Sequence, residues 1–123
     1  MATKKTIDID TVRELAMALP GIEEGSIHGA PSFKVRGKLL ACPAIHRSAE
    51  PDSLAVRIDL DRRAEWIAAD PNVCYVTDHY VKHPMVLVRL SRVRPDALRE
   101  LLEEAWRSGS TKSKKGGSDR RSS

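Results

Sequence analysis

The sequence predicts an α+β domain of two layers, an antiparallel sheet of five to six strands with the N- and C-terminal helices packed on one face. Three observations carry this. Apolar residues recur at helical spacing near both ends, as Val12, Leu15, Ala16 and Leu19 and again as Leu98, Leu101, Leu102 and Ala105. Between them lie short runs with strand patterning, Ser53 to Ile58 and Met85 to Leu90. Turn and breaker residues separate these runs, among them Pro20-Gly21, Arg36-Gly37 and Asp70-Pro71.

The first helix is expected over residues 11 to 19. Thr11 and Glu14 fit a capping box, Asp8 and Asp10 favour the positive helix end, and Pro20-Gly21 stops it. Ser26 to His28 reads as a short strand. Ser32 to Val35 and Lys38 to about Ile45 read as a hairpin around Arg36-Gly37, with Pro43 marking an edge or bulge because it cannot donate to a ladder. A two-residue turn sets Lys38 opposite Val35 and points it away from Lys34. A three-residue loop aligns Val35 with Leu39 instead. One residue of slip inverts every side chain, so register decides whether Lys34, Arg36 and Lys38 share a surface.

Residues 46 to 52 form a polar loop. In Ser53 to Ile58, Leu54, Val56 and Ile58 face one way and Ser53, Ala55 and Arg57 the other. Asp59 and Asp61 open a short helix to about Ala69, with Leu60, Ala64, Ile67 and Ala68 on one face. Val73 to Thr77 is a strand, Asp78 to Pro84 a loop, and Met85 to Leu90 a near-continuous apolar strand central in the sheet. Pro95 suits the first position of the last helix, which is expected to end near Arg107. The second face of the sheet is then at least partly wet, or covered by a partner.

The chain divides into an N-terminal extension (1–9), one α+β domain (10–107) and a basic tail (108–123) whose composition predicts disorder. The net charge of +4 comes from that tail. Residues 1–107 hold 16 cations and 16 carboxylates, so the body is formally neutral and any basic face needs an acidic counterpart. Aromatics are 4% of the chain, too few for a platform that stacks bases. No apolar run approaches the ~20 residues that span a bilayer, so no membrane association is expected. The basic start leads into Asp8 and Asp10, not an apolar segment, so no secretory leader is expected. Cys42 and Cys74 each sit in an apolar run and read as buried free thiols, which suits a cytoplasmic location.

Five segments together resemble the MmcQ/YjbR family: Ala18 to Glu24, Pro31 to Lys38, Val76 to Tyr80, Pro84 to Leu90 and Leu101 to Trp106. They cover about residues 10 to 107 in the family's order and spacing. Lys82-His83 and Met85 depart from it, standing where a glycine and aromatics are common. The resemblance implies a fold similar to the bacterial frataxin and secretion-chaperone group. It also implies DNA contact through a double-wing surface.

The leading functional expectation is a non-enzymatic binding module. Weak, largely sequence-independent DNA contact would come from Lys34, Arg36 and Lys38, extended by Arg57 and by Lys112, Lys114 and Lys115 of the tail. Arg62 and Arg63 lie among acidic neighbours and read as local ion pairs. The alternative is an adaptor that binds a protein or a small ligand through the open sheet face and the His79–Pro84 loop, using His79, Tyr80 and His83. No metal is expected there, because Pro84 argues against a helix and only Asp78 offers a further ligand. His28 and His46 are isolated. Glu23 and Glu24 diverge in direction, Ser26, Ser32 and Ser53 lack a nucleophile elbow, and no phosphate-cradling glycine loop occurs. Neither an enzyme nor a cofactor is therefore expected.

Overall fold

The structure, a computed structural model, describes residues 7–27 and 29–111, with side chains to Arg107. Helix α1 (Ile9–Met17) is followed by β1 (Ile22–Ile27), β2 (Ala30–Val35), β3 (Lys38–Pro43) and β4 (Ser53–Arg57). Then come α2 (Leu60–Ala69), β5 (Cys74–Tyr75), β6 (Met85–Arg89) and α3 (Pro95–Thr111). The strands form one six-stranded sheet in the order β1-β2-β3-β4-β6-β5, with every neighbouring pair antiparallel.

Alternation along the strands divides the apolar residues between two faces. Phe33, Val35, Leu54, Val56, Val86 and Val88 point to the helix side, where Val12, Ala16, Leu98, Leu101, Leu102 and Ala105 meet them in the main core. Ala55, Met85 and Leu87 point the other way and gather a smaller cluster with Leu39, Cys42, Tyr75 and Tyr80. The fold is thus the expected α+β class with its terminal helices on the sheet.

Several details differ from the expectation. The N-cap of α1 is Asp8, whose carboxylate accepts from the Thr11 N–H at 3.0 Å, so the helix begins before Thr11. Ile7, inside the segment read as an extension, is buried, and its N–H donates to Leu90 O at 3.1 Å. Strand β1 begins at Ile22, well before Ser26, while His28 lies outside the described residues. Pro43 closes β3 in the sheet interior, and the bulge falls earlier: Phe33 pairs with Ala41 and Lys34 with Leu39, leaving Leu40 as the extra residue. Strand β6 lies next to the edge strand β5 and is not central. Its apolar run reflects cover on both faces, by helices on one and by loops on the other. In α2, Leu60, Ala64 and Ala68 are exposed, and the helix leans on the core through Trp66 and Ile67. Ile67 belongs to both the expected and the observed face, and the buried face is rotated by about 100°, one residue, from the expected one, a difference that a ten-residue segment with weak patterning does not define. Helix α3 continues past Arg107 to Thr111. The rest of the expected tail, with Lys112, Lys114 and Lys115, lies outside the described residues.

Candidate functional site

The hairpin tip has a two-residue turn. Arg36 and Gly37 both adopt positive φ (54° and 79°), the conformation of a type I′ turn, whose twist matches the flanking strands. Val35 therefore pairs with Lys38, and Lys34 with Leu39. Lys38 shares a face with Val35, which packs toward the helices, while Lys34 lies on the helix-free face. Arg36 is exposed at the turn. The three cations are distributed over both faces.

The helix-free face instead gathers a different set of residues. Two loops, 44–52 and 76–84, arch over its centre. His46 N–H donates to the Tyr80 hydroxyl at 3.3 Å, and the Ser48 and Thr77 hydroxyls bond at 2.8 Å. The His46 and His79 rings stack with centroids 3.5 Å apart and planes 5° from parallel, and Tyr80 meets the edge of both. The Ser48 N–H donates to His46 Nδ1 at 3.0 Å, so the neutral ring carries its proton on Nε2. Arg63 reaches over from α2 and donates to the carbonyls of His83 (2.9 Å), Met85 (3.2 Å) and Val81 (3.4 Å), pinning the second loop from behind. At the sheet's far end Arg89 forms a two-bond pair with Glu50, both at 2.8 Å, and stacks over Tyr75, whose hydroxyl accepts from the Glu50 N–H.

Between these loops and the sheet lies a cavity of about 660 Å³. Its floor is Leu39, Cys42, Ala55 and Met85. Ile27 and Ala30 wall it on the hairpin side, and His46, His79, Tyr80 and His83 on the loop side. Arg57 lines it from the end of β4, and none of the lining residues is acidic. On the same face, Ser32 is wholly buried beside Gly25, with its hydroxyl unpartnered among the described residues.

Electrostatics agree with an apolar pocket. Burial pushes the Cys42 thiol up from its ordinary value, so it stays protonated and unactivated. Cys74, on the helix side, is pushed up to about 11, first by burial and then by Asp70. His79 is held below the usual imidazole value, first by desolvation and then by His46, His83 and Lys82. No group of three or more His, Cys, Asp or Glu among the described residues is arranged to hold a metal ion. No carboxylate in the cavity lining is available to orient an imidazole as a general base.

Of the residues expected to act together, His79, Tyr80 and His83 do line one site. Arg57, expected beside the hairpin cations, lines it too. Arg62 pairs with Glu65 as expected, and also with Glu104 of α3 at 2.6 Å, whereas Arg63 finds carbonyls and no acid. His46 was not foreseen: it is 33 residues from His79 in sequence, and only loop packing brings the rings together. Leu39 and Cys42 have opposite parity along the strand, and only the bulge at Leu40 brings both to the helix-free face, so alternation alone could not have placed them together.

The fold and site define a small α+β domain with one sheet face closed by helices and the other hollowed beneath two loops. The chain belongs to the YjbR family, whose model matches residues 17–108. It is similar to uncharacterised proteins of Mycobacterium tuberculosis (Rv2570) and Mycobacterium bovis (Mb2600), each 31% identical over 79% of this chain and 84% of the relative. Its fold is also similar to the crystal structure of Deinococcus radiodurans protein DR2400, a DUF419 domain. That likeness has a TM-score of 0.71 at 23% identity and covers 92% of this chain and 86% of the other. No helix among the described residues is long and apolar enough to cross a membrane.

Proposed function

We propose that the domain is a small-molecule binding module, holding an apolar ligand between the helix-free sheet face and the loops 44–52 and 76–84. The cavity carries this reading. Its volume falls within the roughly 300–1,000 Å³ of small-ligand pockets, and its lining is mostly apolar with a few polar groups at the margin. The exposed Ile45 at its rim adds apolar surface that a ligand would cover. The loops that roof it are fixed by side-chain bonds from both ends, so the pocket is largely formed before a ligand arrives.

The nucleic-acid reading rests on the exposed Arg36 and Lys38 at the hairpin tip and on the family resemblance. A register that divides Lys34 from Lys38 leaves fewer phosphate contacts on any one face.

The test is fluorescence titration with the neutral dye N-phenyl-1-naphthylamine, with alkylation of Cys42 by iodoacetamide followed in parallel by mass spectrometry. Binding in the cavity brightens the dye and slows modification of Cys42. Ala55→Leu, which projects into the cavity, abolishes both effects while leaving the circular dichroism spectrum unchanged. A dye that does not bind, or that binds without protecting Cys42, overturns the reading. Salt-sensitive binding of duplex DNA that disappears in Lys34→Ala/Arg36→Ala would restore the hairpin as the working surface.

A further inference from the structure

We infer that the ligand is an organic anion, an apolar body carrying a carboxylate or similar oxyanion head, and that Arg57 is the residue that receives the head. This rests on the cavity being a ligand site and adds the ligand's charge.

The inference comes from which arginines are engaged and which one faces the cavity. Arg13 bonds Asp10 and Glu24, Arg62 bonds Glu65 and Glu104, and Arg89 bonds Glu50. Arg63 is spent on three carbonyls. The Arg57 side chain, like those of Arg36, Arg47 and Arg99, has no ion-pair or hydrogen-bond partner among the described residues, and it is the arginine that stands on the wall of the apolar cavity. Register fixes its position. It is directly opposite Met85 on β6, on the same face as Ala55, which is opposite Cys42 on β3. An unpaired guanidinium is thus held at the end of an apolar floor.

The rest of the lining points the same way. The cavity holds no Asp or Glu to attract a cation, and its other polar groups are the three histidines and the Tyr80 hydroxyl. Imidazole N–H groups and a phenol donate to an oxyanion as readily as they accept from a donor. A planar guanidinium offers two parallel N–H groups to a carboxylate, a bidentate match that a neutral ligand does not satisfy. An apolar floor favours the body of such a molecule and opposes a polymer of phosphates, which needs a charged track and not a single cation.

Two dyes separate the charge from the body. 8-Anilinonaphthalene-1-sulfonate is N-phenyl-1-naphthylamine with a sulfonate added. At pH 7.5 and low salt, Arg57→Gln weakens the sulfonate dye about tenfold and changes the neutral dye less than twofold. Because Arg57 is exposed and unpaired, the variant keeps its fold. The unaltered protein gives a second measurement: octanoate displaces the neutral dye at concentrations where octanamide does not. If Arg57→Gln weakens neither dye, or octanamide competes as well as octanoate, the anion inference fails while the pocket stands. If neither dye protects Cys42 from alkylation, the pocket reading fails and takes the inference with it. A dimer by sedimentation that binds neither dye overturns both, with a second copy of the chain as the occupant.

Discussion

The two faces of the sheet are built from the same strands, and their difference lies in what covers them. On one face Phe33, Leu54, Val86 and Val88 are fully buried under α1 and α3 in a core made mostly of hydrocarbon side chains. On the other, Leu39, Cys42 and Met85 meet two loops and no helix, and the loops bring three histidines, a tyrosine and an empty volume. A helix lays a continuous stripe against a sheet and fills it to interior density, whereas a loop touches at a few bonded points and spans the rest. The second face is therefore where this fold has room for chemistry, in keeping with the more polar pattern that Ser53, Ala55 and Arg57 already show against Leu54, Val56 and Ile58.

The sharpest way to break that contrast is to truncate one leucine on each face. Leu102→Ala, beneath the helix side, should cost about 2–5 kcal/mol, since a wholly buried side chain leaves a cavity the core cannot close. Leu39→Ala, half-buried beside existing space, should cost about 1 kcal/mol or less. Urea midpoints give both values, and equal losses would show the second face to be as tightly packed as the first.

A smaller effect tests whether the roof is held from behind. Arg63→Ala removes a guanidinium shared by the carbonyls of Val81, His83 and Met85 and should cost about 1–2 kcal/mol. Its signature is local: amide hydrogen exchange should quicken over residues 80–85 and stay unchanged in α3. Uniform quickening would mean that Arg63 supports the whole fold and not the loop.

The smallest effect is a pH dependence confined to the roof. His79 titrates lower in the folded protein than its ordinary value of 6.5, so the unfolded chain binds more protons in the window between the two. Stability should be level above pH 6.5 and fall as pH drops through that window. The depressed carboxylates Glu50 and Glu104 contribute to acid loss only at lower pH, below their ordinary 4.5. Comparing urea midpoints at pH 7.5 and 5.5 for the wild-type chain and His79→Gln isolates the contribution of His79. A variant as acid-sensitive as the parent would assign the loss elsewhere.

Local pattern alone located most of what is regular here. The spacing of Leu98, Leu101, Leu102 and Ala105 defined the buried stripe of α3, and alternation in β4 already set Ala55 and Arg57 on the face opposite Leu54 and Val56. Those signals are intrinsic to a chain segment, because a helix or strand repeats its geometry within a few residues. The ordered motifs also marked the family, and Asp78 to Pro84 stood out as a loop worth attention.

Tertiary structure decided the rest. Nothing local to Arg36-Gly37 chose a two-residue turn over a three-residue loop, yet that choice separated Lys34 from Lys38. The bulge at Leu40 depends on pairing across two neighbouring strands. The His46–His79 stack, the Arg63 clamp and the unpaired Arg57 over an apolar floor each join residues distant in sequence. Contacts of that kind leave no period in the chain, since they arise when loops settle on a finished sheet.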